Sequence, residues 1–226
     1  MSVPGHISIG AGKNNNLWYT NVCFKKSIMT DQTILKEASA PLPTKYGNFT
    51  ISVYKDDSGV EHLVLTKNIH PDVMPLVRIH SSCMTGDVFG SLRCDCGPQL
   101  EHAMKLLGEQ ESSVLIYLNQ EGRGIGILNK IKAYALQDQG LDTVEANEKL
   151  GFPADSRDYH AAASILQELG ISKIRLLTNN PDKVEQLTKY GITVDERVPL
   201  EISPNEYNHK YLETKKQKLH HELHLV

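Results

Sequence analysis

Three cysteines crowded into one short segment constrain this chain more than any other feature. Cys83, Cys94 and Cys96 form a C-x10-C-x-C pattern, and the fourth cysteine, Cys23, lies far away in the sequence. Four cysteines are too few for a disulfide framework in a chain of 226 residues, so the cluster favours a metal site. The close pair can bind one ion from a tight turn, while Cys83 arrives from the end of a strand.

Three thiolates leave one position of a tetrahedral zinc site open. Catalytic zinc holds a water at such a position and lowers the pKa of that water to about 7. A structural site has a fourth protein ligand, which His80 could supply, and buried thiols without a metal are the third interpretation. Arg78, Arg93 and Asp95 stand close to the cysteines in sequence, which favours a site that pairs them or binds a ligand.

Strand and helix patterns alternate along the chain and predict an α/β fold, with a mixed sheet and flanking helices. Strand-like runs cover residues 48–54, 61–67, 75–80, 113–118, 173–178 and 193–198, and helical patterns begin at residues 98, 128, 158 and 181. Residues 1–40 show no sustained period and are predicted to be a variable N-terminal extension. Residues 216–226 are predicted to be a polar C-terminal tail, and the polar stretch from Tyr207 to Leu225 is expected to form a surface helix or a frayed end.

Composition excludes some classes of partner. The formal net charge is -3, so no global positive field would attract nucleic acid or a membrane surface. No apolar run approaches the roughly 20 residues of a membrane span, and the first residues lack the pattern of a secretory signal. We therefore expect a cytoplasmic protein, without nucleic-acid or membrane partners, that holds any anionic ligand through local groups.

A glycine-rich loop precedes the helical pattern at residue 128. Gly122 and Gly124 let backbone N–H groups approach phosphate oxygens, and Arg123 offers a planar pair of donors for the same anion. Glu121 would repel phosphate but could accept paired hydrogen bonds from the N1–H and 2-amino edge of guanine. An ordinary tight turn also explains the glycines.

Two other polar stretches are candidate site regions. Asp155 and Arg157 follow a non-periodic segment, where Asp155 could equally cap a helix. Thr178 ends a strand and Lys183 begins the next helix, at the sheet edge where open α/β folds usually bind ligands. Asn180 as a helix cap explains this second stretch as well.

Seven motifs in one order make the chain resemble GTP cyclohydrolase II. They occupy residues 78–81, 83–87, 91–97, 120–123, 129–134, 142–147 and 176–181. The resemblance runs from about residue 41 to residue 215, which it implies is the catalytic domain. A series of motifs in order is far more specific than any one of them.

The resemblance implies zinc-dependent opening of the guanine imidazole ring of GTP, the first step of riboflavin biosynthesis. Formate and pyrophosphate leave, and the product is 2,5-diamino-6-hydroxy-4-(5-phosphoribosylamino)pyrimidine. One Zn²⁺ per subunit is implied on Cys83, Cys94 and Cys96, with Mg²⁺ on the triphosphate. The expected partners are the substrate GTP and a second copy in a homodimer.

The resemblance also implies roles for individual residues. Arg157 matches a proposed nucleophile of pyrophosphate release, Asp155 a proton acceptor, and Tyr134 a tyrosine near the reacting ring. Because the pKa of arginine lies above about 12, stabilisation of charge at the α-phosphate explains Arg157 equally. The implied GTP contacts are Arg78, Ile79, His80, Ser81, Ser82, Gln99, Glu121, Gly122, Arg123, Thr143, Thr178 and Lys183.

Two positions depart from the family pattern. Ser82 stands where the family usually has glutamate, and Asn119 where arginine is common. They leave open a paralogue of the same fold with an altered nucleotide substrate or product. A non-catalytic nucleotide-binding protein with a structural zinc is the alternative from another class, and it gives Tyr134, Asp155 and Arg157 no role.

Overall fold

One seven-stranded mixed sheet organises residues 34–226, the part of the chain that the computed structural model describes. Its strands are β1 (Leu35–Thr44), β2 (Gly47–Lys55), β3 (Glu61–Lys67), β4 (Leu76–Ser81), β5 (Ser113–Leu118), β6 (Lys173–Leu177) and β7 (Thr193–Val198). The spatial order is β1-β2-β3-β5-β4-β6-β7. The pairs β1–β2, β2–β3 and β3–β5 are antiparallel. The pairs β5–β4, β4–β6 and β6–β7 are parallel. The predicted α/β class with a mixed sheet is confirmed.

Six α-helices accompany this sheet in the described part of the chain. They are α1 (Cys96–Glu109), α2 (Gly126–Gln137), α3 (Thr143–Lys149), α4 (His160–Glu168), α5 (Pro181–Lys189) and α6 (His209–Gln217). A π-helical turn, Met84–Val88, follows β4, and a short 3-10 turn, Glu121–Gly124, follows β5. Within residues 34–226, none of the helices has both the length and the apolar character needed to cross a bilayer.

Alternation along β4 divides its side chains between the two faces of the sheet. Val77 and Ile79 belong to a core that packs against α4 and α5, and Leu76 belongs to a second core beside α1. Arg78 and His80 share the face of Leu76 by period two and are only 5% and 3% exposed. The strand therefore delivers a buried arginine and a buried histidine to the side on which α1 packs.

The first strand begins inside the region predicted to be an extension. Residues 35–40 pair with β2, with Ala40 opposite Ile51, so the boundary predicted after residue 40 falls within β1. Two prolines and mostly exposed side chains hide this strand in the sequence, as is typical of a sheet edge. The rest of the predicted extension, residues 1–33 with Cys23, lies outside the described residues.

Most side chains of residues 216–226 are exposed, but this segment and α6 before it contact the rest of the fold. Leu212 in α6 is 2% exposed, and Leu223, beyond the helix, is 7% exposed. The backbone N–H of Glu222 donates to the carbonyl oxygen of Asn179 at 2.9 Å. Residues 216–226 therefore continue the folded part of the chain and reach the end of β6.

Candidate functional site

The three clustered cysteines converge beyond the end of β4. Cys83 comes two residues after this strand, Cys94 lies in the turn before α1, and Cys96 is the first residue of α1. Their sulfur atoms all lie within 4.8 Å of one another, with Cys83 Sγ and Cys94 Sγ 3.7 Å apart. Tetrahedral zinc with bonds of about 2.3 Å separates its sulfur ligands by about 3.8 Å, so these thiols fit one zinc ion.

Gly86, in the π-helical turn, gives the three thiols their space. A Cβ at this position would lie 2.9 Å from Cys94 Sγ, 3.0 Å from Cys96 Cβ and 3.1 Å from Cys83 Sγ. These separations are shorter than ordinary contacts between heavy atoms, which begin at about 3.5 Å. The turn can therefore pass this close to the cysteines because residue 86 has no side chain.

Lys130 of α2 places a positive charge against the thiol cluster. Its Nζ lies 3.0 Å from Cys83 Sγ and 2.7 Å from Glu121 Oε1. Hydrogen bonds from Cys94 and Cys96, followed by Lys130, hold the pKa of Cys83 far below its ordinary value. Interaction with Cys83 raises the pKa of Cys94 to about 11, and that of Cys96 well above its ordinary value. A divalent cation bound to the three thiols would allow all of them to ionise.

His80 interacts with Asp87, and the structure gives it no place among the metal-binding groups. Its Nε2 lies 3.0 Å from Asp87 Oδ2, which also accepts from the Cys83 N–H at 2.9 Å and from the Tyr117 hydroxyl at 2.8 Å. Burial lowers the pKa of His80. Among residues 34–226, the group able to hold a metal here consists of the three cysteines. The alternative in which His80 completes a structural site is therefore not supported.

A cavity beside the cysteines brings together most of the predicted site residues. The three cysteines, Tyr134 and Arg157 line it, as do the predicted GTP contacts Arg78, His80, Ser81, Ser82, Gln99, Glu121, Gly122, Arg123, Thr143, Thr178 and Lys183. Ile79 is different, because its side chain is fully buried in the core on the other face of β4. Its carbonyl oxygen accepts a hydrogen bond from Lys183 Nζ at 2.7 Å, so its contribution is a backbone one.

Six lysine and arginine side chains line this cavity: Arg78, Arg123, Lys130, Arg157, Lys183 and Lys215. Burial and the neighbouring cations, Arg78 first among them, lower the pKa of Lys183 well below its ordinary value. Within the described residues, Arg78 Nε and Arg123 Nη2 are buried without a hydrogen-bond partner. Crowded cations with unused donors indicate a ligand that carries several negative charges.

Arg157 is held as a cation by Asp155. Its Nε donates to the two carboxylate oxygens at 2.9 and 3.1 Å. Burial alone would lower the pKa of Arg157, but Tyr159 and Asp155 raise it above its ordinary value. Burial would raise the pKa of Asp155, but Arg157 lowers it. An arginine that stays protonated is suited to stabilise phosphate charge and is poorly suited to attack phosphorus.

The loop after β5 has an unusual backbone. Gly122 and Arg123 both adopt left-handed conformations, with φ of 63° and 61°. This region is uncommon for arginine and is often found at functional sites. Arg123 Nη1 donates to Thr143 Oγ1 at 3.3 Å, and its guanidinium lies 5.6 Å from the ring centre of Tyr211. The strained turn thus aims Arg123 between α3 and α6.

Sequence reasoning missed part of the cavity wall. Tyr211, Lys215, His221 and Leu223 line the cavity, although they belong to the region predicted to lie at the surface. Tyr211 and Lys215 are four residues apart and share one face of α6. The four-residue spacing could have indicated that these two side chains share a buried helix face, but most of the surrounding residues are polar and favoured a surface helix.

The two departures from the family pattern lie in different surroundings. Ser82 lines the cavity, and its hydroxyl is buried without a hydrogen-bond partner among the described residues. Asn119 is exposed, and its N–H donates to His62 Nδ1 at 3.2 Å. Ser82 is therefore the departure that stands where a ligand would bind.

Comparison with known proteins matches residues 35–199 to the family model described as GTP cyclohydrolase II. A riboflavin biosynthesis protein RibBA from Endomicrobium trichonymphae is 51% identical over 203 residues, covering 86% of this chain and 49% of that protein. The RibBA protein of Bacillus cytotoxicus is 53% identical over 194 residues, with coverages of 85% and 49%. That of Aquifex aeolicus is 50% identical over 214 residues, with coverages of 92% and 53%. The chain spans about half the length of these curated relatives.

Proposed function

Since this chain belongs to the GTP cyclohydrolase II family, we propose that it opens the imidazole ring of GTP in a zinc-dependent reaction. The products are formate, pyrophosphate and 2,5-diamino-6-hydroxy-4-(5-phosphoribosylamino)pyrimidine, and the reaction is the first step of riboflavin biosynthesis. One observation carries the proposal: three thiols within 4.8 Å of one another, two of them 3.7 Å apart, open onto a cavity lined by six lysine and arginine side chains. That arrangement supports metal-dependent hydrolysis next to a triphosphate.

Cys83, Cys94 and Cys96 would hold the zinc ion. Bound zinc supplies Lewis acidity and activates water for hydrolysis near neutral pH. Lys130 contributes by neutralising charge at Cys83 and by orienting Glu121. Burial raises the pKa of Tyr134, so its hydroxyl stays protonated and can donate a hydrogen bond beside the reacting ring.

Glu121 is suited to recognise the base. Its Oε2 accepts the Met84 N–H at 2.6 Å, and its Oε1 accepts the Gly122 N–H at 2.9 Å, so the carboxylate is fixed in place. Lys130 Nζ also donates to Oε1 at 2.7 Å. A carboxylate has about four acceptor sites, so one remains, on Oε2, for a donor on the N1–H and 2-amino edge of guanine. We assign base selection to this residue.

The cationic wall would bind the triphosphate together with Mg²⁺. Arg78, Arg123 and Lys183 line this wall, and Arg78 Nε and Arg123 Nη2 are donors without a partner among the described residues. Arg157, oriented by Asp155, would stabilise charge at the α-phosphate while pyrophosphate leaves. This role agrees with a permanently protonated guanidinium, whereas a nucleophilic role would require its deprotonation.

A homodimer in the cytoplasm completes the proposal. Large apolar side chains are exposed near the site, with Phe89 at 75%, Leu128 at 66% and Val88 at 65% exposure. Exposed apolar surface of this kind is typical of association sites. A nucleotide substrate supports the cytoplasmic location.

The test combines three assays on one sample. Purified zinc-loaded protein is incubated with GTP and Mg²⁺, and formate, pyrophosphate and the ultraviolet spectrum of the pyrimidine are followed together. We expect all three products, and we expect Cys94→Ser to abolish turnover while Cys23→Ser, far from the other cysteines in the sequence, retains it. Retained turnover in Cys94→Ser with metal bound would contradict the assignment of a catalytic zinc.

Ser82 supports a second candidate, a paralogue with an altered nucleotide substrate. Its unpaired hydroxyl lines the cavity at a position where the family usually has glutamate. Pyrophosphate without formate, or no product from GTP, would favour this candidate and call for a screen of other purine nucleotides.

A further inference from the structure

Residues 207–223, which we name the C-terminal strap, lie beyond residue 199, where the family match ends. A backbone hydrogen bond and an ion pair join the strap to two different parts of the fold. Glu222 donates its N–H to the Asn179 carbonyl oxygen, and Lys218 forms an ion pair with Asp142, the residue that caps α3. With Leu212 buried as well, the strap is an integral part of the fold.

The strap makes a buried ion pair with the turn that carries two of the cysteines. Asp95 separates Cys94 from Cys96, and Lys215 Nζ lies 3.1 and 3.2 Å from its two carboxylate oxygens. The two side chains are only 2% and 10% exposed. Removing one member of a buried ion pair leaves the other as an uncompensated charge, which is strongly destabilising.

Charge balance gives this ion pair a consequence for the metal site. Three thiolates and one divalent cation together carry one negative charge, and Asp95 adds another in the same buried region. Lys130 at Cys83 and Lys215 at Asp95 supply two positive charges. Without Lys215, the buried carboxylate would repel the thiolates or swing away from them, and the Cys94–Cys96 turn would move with it.

We propose that the C-terminal strap is a wall of the active site, and that Lys215 is a positioning residue that holds the Cys94–Cys96 turn in zinc-binding geometry through Asp95. The inference rests on the zinc site of the proposed function. A second contact leads to the same wall, since the Tyr211 ring lies 5.6 Å from the Arg123 guanidinium and 5.4 Å from Lys215 Nζ. The strap thereby touches both the metal-binding turn and the loop after β5.

The first test measures zinc affinity without any nucleotide. Lys215→Met, Lys215→Arg and the control Lys210→Met, an exposed lysine of the same helix, are titrated against a chromophoric zinc chelator. Loss of an outer partner of a metal site typically weakens metal binding about 10- to 100-fold, and we expect a loss of this size in Lys215→Met. Lys210→Met should stay within about twofold, and Lys215→Arg should recover most of the affinity because it keeps the cation. Zinc binding by folded Lys215→Met at the affinity of the unsubstituted protein would overturn the proposal.

A double variant tests the path through Asp95. Once Asp95→Asn has removed the negative charge, Lys215→Met should have little further effect on zinc affinity. Independent effects of equal size in both backgrounds would overturn positioning through Asp95. If Lys215→Met does not fold, the test compares Lys215→Arg, which keeps the ion pair, with Asp95→Asn, which removes it. Equal zinc affinities of these two variants would overturn the proposal.

The outcomes separate this proposal from the proposed function. Weak zinc binding in Lys215→Met, together with no GTP turnover in the unsubstituted protein, would overturn the function and support the strap. Unchanged zinc binding with weakened binding of a non-hydrolysable GTP analogue would make Lys215 a phosphate-binding cation and overturn its positioning role.

Discussion

Replacing Gly86 by alanine tests the geometry of the thiol cluster most directly. The new Cβ would lie 2.9 to 3.1 Å from two sulfur atoms and one Cβ of the cysteines, so each neighbour must retreat by about 0.5 Å to reach ordinary contact. Binding sites tolerate displacements of about 0.5 Å at most. Overpacking of this kind typically costs about 1 to 3 kcal/mol, and such a cost in the zinc-bound state weakens zinc binding about 5- to 150-fold.

Chelator competition measures the zinc affinity of Gly86→Ala, and urea unfolding of the zinc-free protein measures the stability lost independently of the metal. Gly90→Ala is the control in the same loop, because a Cβ there meets nothing within 4 Å but its φ of 65° strains an alanine backbone. We expect the control to lose about 1 kcal/mol of stability and to bind zinc normally. Zinc binding by Gly86→Ala at the affinity of the unsubstituted protein would contradict this prediction, because the two sulfur atoms and the Cβ of Cys96 would then have moved at no cost to the site.

Two further predictions concern charge. In Arg157→Met we expect pyrophosphate release from GTP to fall about 100- to 1,000-fold, with zinc affinity unchanged within about twofold in the chelator assay; undiminished pyrophosphate release would remove Arg157 from the phosphate site. Burial lowers the pKa of His62 although Asp56 opposes this, so between the lowered pKa and about 6.5 the unfolded chain binds a proton that folded His62 does not. The unfolding free energy should therefore decrease as the pH falls below about 6.5, by up to about 1.4 kcal/mol per pH unit from this residue. In urea titrations from pH 5 to 7, the unfolding free energy of His62→Gln should depend less steeply on pH. Equal slopes for the variant and the unsubstituted protein would contradict this assignment.

The sequence predicted those elements whose signals are local. β5 is a continuous apolar run, and its predicted bounds agree with the structure because both of its faces are covered. Asn180 and Pro181 open α5 with a side-chain cap and a proline at the first turn, so that helix was predictable from its own residues. The cysteine cluster was likewise readable, since its members are close in sequence.

Other elements depend on contacts between distant residues. β1 forms because β2 pairs with it, and its own residues, rich in polar side chains and proline, give no alternating pattern. The seven-residue helix α3 was missed, although Asp142 and Glu145 form a capping box that the sequence displays. The burial of Lys215 depends on Asp95, 120 residues away, and no local pattern carries that information.

The alternation of polar and apolar side chains along β4 also favours the correct register of this strand during folding. Slipping the strand by one residue would bring Ile79 into the polar cavity and push Arg78 and His80 into the apolar core beneath α4 and α5. An arginine stripped of water and partners costs several kcal/mol, and a misregistered sheet would incur this cost together with the loss of isoleucine packing. The residues proposed to bind the nucleotide therefore also specify the register of β4. A chain in which β4 paired with β5 and β6 in a register shifted by one residue would be unstable even without its ligand.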